Sequence, residues 1–197
     1  YNDYFNDDTF GVDEFKNKYD IVISNNTFAH IIDVQSVIRG VSHVLKPNGD
    51  FIFEVHYLKS LIEGKQWDNI YHEHIFYYSI TALQNMFERH DMTVVDFQEI
   101  PIHSGSIRVT VRNKKIKAPE KVELRINWES KWAHSFISDV NHLKKYGKTV
   151  EEHITDFKTT IKQLSKKYKI AGYGASGRAN MFCNLTDLGV DTVKFIV

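Results

Sequence analysis

Tyr19-Asp20-Ile21-Val22-Ile23-Ser24-Asn25, answered by Phe51-Ile52-Phe53-Glu54-Val55, decides the fold of this chain. Each is a short apolar run bounded by polar residues, the pattern expected of a strand buried on both faces. Between them Val34, Val37, Ile38, Val41, Val44 and Leu45 recur at steps of three and four, which predicts an amphipathic helix. Asp33 stands where a helix cap belongs, and Lys46-Pro47-Asn48-Gly49 closes the helix. Residues 19–56 therefore read as strand, helix, strand, whose usual outcome is a parallel pair joined by a right-handed crossover. The fold class is α/β.

Downstream, a helix is expected from about Ser79 to Arg89 with Ala82, Leu83, Met86 and Phe87 inward. Two strands follow, Thr93 to Ile100 and Ser106 to Arg112; Ile107, Val109 and Val111 share one face of the second. They are close enough to pair antiparallel at the end of the sheet. Asn113 to Pro119 is a basic linker. From Glu120 to Lys169 the pattern is helical and lysine-rich, with a break expected near Tyr146-Gly147 and a stripe of Val150, Ile154, Phe157, Ile161 and Leu164. Its lysines read as a solvated face. Tyr168 to Arg178 then runs from a short strand through a glycine-rich turn into a helix, and Val193 to Val197 reads as a further strand.

The composition narrows the function. Lys plus Arg equals Asp plus Glu at 25 each, so no overall charge favours nucleic acid or an anionic membrane. Cys183 is the single cysteine among 197 residues, which excludes an internal disulfide and fits a reducing compartment, with the cytoplasm as the default. No apolar run approaches the roughly 20 residues of a membrane span, and the first residues have no signal-peptide pattern. Without an initiating Met, and ending in an apolar run, the sequence reads as a fragment cut at both ends.

The chemistry concentrates in Tyr71-His72-Glu73-His74, set between Trp67-Asp68-Asn69-Ile70 and Ile75-Phe76-Tyr77-Tyr78. Imidazoles, a phenol and a carboxylate beside aromatic surface suit a proton-handling site with apolar walls. The tetrad lacks the spacing of helical zinc proteases, and no third strong ligand has motif spacing. Acid/base chemistry is better supplied: imidazole titrates near neutrality, a carboxylate can fix its tautomer, and a phenol can donate to an oxyanion. His30 follows the first strand and falls near the carboxyl edge of the sheet, where open α/β folds place ligands. His43, His90, His134, His142 and His153 are expected to face solvent. Gly172-x-Gly174-x-x-Gly177 has dinucleotide-binding spacing in a strand-turn-helix context; close helix-on-strand packing is the structural alternative.

Several of these stretches occur together in a known order. Ser24 to His30, Leu45 to Glu54, Tyr71 to His74, Pro101 to Val109 and Gly172 to Ala175 resemble successive landmarks of the S-adenosylmethionine-dependent C-methyltransferases of nucleotide-linked keto-deoxysugars. The resemblance spans nearly the whole chain. It implies the second half of a Rossmann-like class I methyltransferase sheet over residues 1–113, a helical connector over 114–168, and the start of a second Rossmann-like, sugar-nucleotide-binding domain over 169–197. A zinc-binding amino-terminal module and the first half of the donor domain belong to the family pattern and have no counterpart here. The fragment is therefore expected to bind the donor weakly and to be inactive alone. No metal ligand is assigned in these residues, and zinc is expected only in that missing module.

The family chemistry requires a base to remove a proton beside a ketone before the carbon attacks the methyl group of S-adenosylmethionine. By resemblance, His74 is the base, Glu73 its orienting partner, and Tyr71 and His30 polar groups around the ketone or enolate; which of His74, His30 and Tyr71 takes the proton stays open. His72 departs from an acidic residue of some relatives and is peripheral. Asn25 and Asn26 would lie near the methyl donor, and His103, Gly105, Gly172, Gly174 and Ser176 near a nucleotide-linked ketosugar. Two other readings compete: an NAD(P)-dependent oxidoreductase built on the glycine turn, and a non-catalytic sugar-nucleotide-binding module. The sugar, the nucleotide and the oligomeric state are not legible.

Overall fold

A computed structural model describes residues 1–137 and 139–197, with the side chain of Ile137 outside the description. The chain divides into two compact units, Tyr1–Gly64 with Glu73–Ala133, and Lys65–His72 with His134–Val197.

The first unit contains α1 (Asp7–Phe10), β1 (Tyr19–Asn25), α2 (Val34–Val44), β2 (Leu45–His56), α3 (Leu58–Glu63), α4 (Ile80–Glu88), β3 (Thr93–Ile100), β4 (Ser106–Arg112) and most of α5 (Glu120–Ile137). Its sheet has the order β1-β2-β4-β3. β1 and β2 are parallel, while β4 pairs antiparallel with both β2 and β3. Asp33 caps α2 by accepting from the Ser36 amide, 3.0 Å away. Tyr19 pairs with Leu45 and the ladder resumes at Ile21 with Asp50, so Lys46 to Gly49 loop out of it. Asn48 takes a positive φ of 65° there, a backbone region that asparagine tolerates.

Phe51, Phe53 and Val55 face Val111, Val109 and Ile107 across the β2–β4 ladder, and all are buried. Phe28, Phe51, Phe53 and Phe87 pack with centroid separations from 4.8 to 6.2 Å. Burial of such aromatic and branched side chains is the main force holding the sheet to α2 and α4.

Three expectations for the first unit need correction. β1 is not buried on both faces: it is the sheet's edge among the described residues, with Ile21 54% and Ile23 65% exposed while Val22 packs on the core. On α4, Leu83, Phe87 and the partly buried Met86 face the core as expected, joined by Ile80 and Gln84, while Ala82 is exposed. Gln84 is accommodated because its Oε1 accepts from the Val94 amide at 3.0 Å. His43 and His90 are half-buried: His43 Nε2 donates to the Val12 carbonyl at 2.9 Å, and His90 Nε2 lies 2.6 Å from Gln35 Oε1.

The second unit is formed by α6 (Val140–Ser165), β5 (Ile170–Gly172), α7 (Gly177–Thr186) and β6 (Val193–Ile196), with β5 and β6 parallel. The expected break at Tyr146-Gly147 is absent; α6 runs through both residues, and Asp139 is the non-helical residue that caps α6, accepting from the Asn141 amide at 2.8 Å. One interior glycine costs about 1 kcal/mol, too little to interrupt a 26-residue helix. The stripe on α6 meets α7 through Phe157, whose ring stands edge-on to Phe182 at 4.5 Å.

Candidate active site

In the first unit the site forms at the carboxyl edge of the parallel pair. β1 ends at Asn25 and β2 at His56. Asn26 turns the chain with φ 52°, and its amide donates to the Glu54 carbonyl at 3.1 Å. Its Oδ1 is buried with no hydrogen-bond partner among the described residues. A tight turn over Phe28–His30 is pinned by burial of Phe28 and Ala29. The Ala29 carbonyl then accepts from the amides of Ile75 and Phe76, at 3.1 and 3.4 Å, which docks the residues after Glu73 against this turn.

That docking brings His30 to His74. His30 Nδ1 donates to the Glu73 carbonyl oxygen at 2.8 Å, and the His30 and His74 ring centroids are 4.9 Å apart. A carbonyl oxygen can only accept, so this bond places the proton on Nδ1 and leaves Nε2 of neutral His30 as an acceptor. His74 is 8% exposed. Its ring centroid is also 4.8 Å from that of His56, and the His56 and His103 centroids are 5.6 Å apart.

His103, Ser104 and Gly105 all have positive φ, at 51°, 64° and 119°. The Tyr57 amide donates to the Gly105 carbonyl at 3.2 Å, tying this turn to the residue after His56. A side chain at Gly105 would sit 2.5 Å from Ser60 Cβ, so glycine is required by space as well as by φ.

Behind the site, the Tyr57 phenol donates to Glu129 at 2.7 Å and accepts from Arg125 at 2.9 Å. Burial, reinforced by Glu129, pushes its ionisation well above the ordinary tyrosine range. Tyr57 is thus a fixed donor rather than a titrating group. A cavity of about 830 Å³ lies beside the β1 edge, lined by Phe5, Val22, Asn25, Thr27, His30 and Asp33 among others.

Tyr71 belongs to the second unit. Trp67 stacks on Phe182 at 5.3 Å, Asp68 accepts two bonds from Arg178 at 2.6 and 3.0 Å, and the Tyr71 ring lies against Gly177, where a Cβ would come within 2.9 Å of Cε2. Ser176 caps α7, accepting from the Ala179 amide at 3.4 Å. Gly172 packs on Ile196 and Gly174 has φ 97°. Each glycine of the Gly-x-Gly-x-x-Gly run therefore has a local conformational or packing reason.

The structure joins His30, His74 and His103 through His56, and groups Tyr71 with Ser176 and Gly177 in the other unit. His56 is absent from the sequence-based site. The available signal is its place as the last residue of β2, at the same sheet edge as His30. Glu73 contributes to the geometry through its backbone carbonyl, which orients His30.

Residues 2–96 match a methyltransferase domain family, and residues 101–197 match the C-methyltransferase C-terminal domain family. C-methyltransferase NovU of Streptomyces niveus is 29% identical over 180 residues, covering 89% of this chain and 42% of NovU. The chain thus spans less than half the length of that curated relative. Among solved structures, YcgJ of Bacillus subtilis aligns with TM-score 0.41 and 17% identity over 50% of this chain and 65% of that one. The 1,6-didemethyltoxoflavin-N1-methyltransferase of Burkholderia thailandensis, bound to 1,6-didemethyltoxoflavin and S-adenosylhomocysteine, aligns with TM-score 0.40 and 14% identity over 50% and 45%. β1 and β2 lie within the stretch that matches the methyltransferase domain family, whereas β4 of the same sheet and the elements α6, β5, α7 and β6 lie within the stretch that matches the C-methyltransferase C-terminal domain family.

Proposed function

We propose that this chain is the acceptor-activating part of an S-adenosylmethionine-dependent C-methyltransferase whose substrate is a nucleotide-linked keto-deoxysugar. The observation that carries this reading is a buried imidazole, His74, within 5 Å of both the His30 and His56 rings at the carboxyl edge of a parallel strand pair. The match to a C-methyltransferase C-terminal domain and the likeness to NovU support carbon as the methylated atom.

Carbon beside a ketone becomes a nucleophile only when its proton is removed. In this reading His74 takes that proton as general base. His30 stands beside His74; with Nδ1 donating to the Glu73 carbonyl, it can stabilise the ketone or enolate oxygen by donating from Nε2 in its imidazolium form. Tyr71, at the glycine turn of the second unit, supplies a phenol to the sugar side. The methyl donor supplies an electrophilic sulfonium methyl group. Asn25 lines the 830 Å³ cavity and fits a polar donor molecule there, with Asn26 at the turn that follows β1.

The test uses the complete gene product with S-adenosylmethionine and a panel of nucleoside diphosphate-linked 4-keto-6-deoxyhexoses, with methylated product followed by mass spectrometry. His74→Gln is expected to lower kcat by about 10²- to 10⁴-fold, the range for loss of a general base. Tyr71→Phe is expected to lower it less. Full activity in both variants would refute the mechanism.

A further inference from the structure

The imidazoles beyond His74 have a direction that proton abstraction alone does not use. His74 is buried, His56 half-buried and His103 exposed, and successive rings stand 4.8 and 5.6 Å apart. At these separations facing ring nitrogens reach each other or one shared water. We propose that His56 and His103 form a proton relay from His74 to bulk solvent. The proposal rests on the reading of His74 as the base.

The proton balance of carbon methylation calls for such an exit. The carbon–hydrogen bond beside the ketone breaks, its electron pair stays on the substrate as enolate, and the proton goes to one nitrogen of His74. His74 releases the proton from its other nitrogen to His56, which passes one in turn to His103 and so to water or buffer. The enolate carbon then bonds to the methyl group as the carbon–sulfur bond breaks. One substrate proton leaves, one sulfonium charge is lost, and each imidazole ends neutral. If the proton instead stayed on buried His74, it would remain poised to return to the carbon.

His30 is also exposed and near His74, but it cannot conduct in this way. An imidazole relays by accepting on one nitrogen and releasing from the other, and His30 Nδ1 is committed to a backbone carbonyl that cannot take up a proton. The route through His56 ends instead on the His103–Gly105 turn, which is held by the Tyr57 amide and by the fit of Gly105 against Ser60. The turn keeps an exposed imidazole at a fixed distance from the strand-end one. His56 and His103 touch no reacting atom and act through His74.

Solvent exchange separates a relay from a merely structural role. The complete gene product is incubated in D2O with the same ketosugar panel and S-adenosylhomocysteine in place of the methyl donor, and deuterium entering beside the ketone is measured. Methyl transfer is assayed in parallel as a control for folding. The variants are His56→Gln and His103→Asn, the latter because asparagine tolerates positive φ. Exchange relative to methyl transfer is expected to fall roughly five-fold or more in both, as the trapped proton returns to carbon, and imidazole in the buffer is expected to restore it in His103→Asn. An unchanged ratio in both variants, with exchange abolished by His74→Gln, overturns the relay alone. Exchange that persists at the wild-type rate in His74→Gln overturns the base reading and the relay with it.

Discussion

Glu129 shows how one buried carboxylate can organise several elements. It is 4% exposed and accepts from the amides of Ile80 and Thr81, the Thr81 hydroxyl and the Tyr57 phenol, at 2.5 to 3.0 Å. The two amides belong to the first turn of α4, where backbone donors lack helical partners and a negative charge meets the favourable end of the helix dipole. Glu129→Ala would strand these donors in a site closed to water. We expect it to lower the unfolding free energy by about 3 kcal/mol, measured by urea denaturation, because unsatisfied buried donors cost more than the bonds themselves contribute. A loss below about 0.5 kcal/mol, the range of an ordinary surface change, would contradict the account. Nothing in the local sequence marks Glu129, since its partners lie 48 to 72 residues away. His56 is similar: its neighbours His74 and His103 become visible only when β2 and the following turns come together.

At the scale of elements, hydrophobic periodicity was informative wherever one face is buried. α2, β2 and β4 lie where their patterns place them because Val37, Ile38, Phe51, Phe53, Val109 and Val111 all enter one core. It misled where burial is decided by a neighbour. β1 has the composition of a central strand, yet its outer isoleucines are exposed because no described element covers that face. The long helix α6 tests the weight given to a lone glycine. A Cβ at Gly147 would meet nothing within 4 Å, and the position is inside the helix. Gly147→Ala is therefore expected to stabilise the second unit by roughly 0.5–1 kcal/mol, read as a rise in its thermal midpoint. A helix broken at this point would show no gain.

At the scale of the whole chain, residues 65–72 belong with the second unit although both flanking stretches belong to the first. Trp67 on Phe182, Asp68 with Arg178 and Tyr71 on Gly177 hold this segment. Arg178→Ala removes a partly buried bidentate partner and is expected to speed hydrogen exchange at the amides of Asn69 and Ile70. The β2–β4 ladder should keep its protection. Equal exchange in variant and wild type would mean that the aromatic contacts alone secure the segment. The sequence by itself determined the strand-helix-strand unit and the antiparallel closure, and singled out Tyr71-His72-Glu73-His74 as a candidate site, because local periodicity, capping and side-chain chemistry are written along the chain. Only the tertiary structure decided that this tetrad divides between two units after His72, and that His74 joins His30, His56 and His103. Those groupings depend on strand ends and turns far apart in sequence, which meet when the core formed by β1, β2, α2 and α4 is buried.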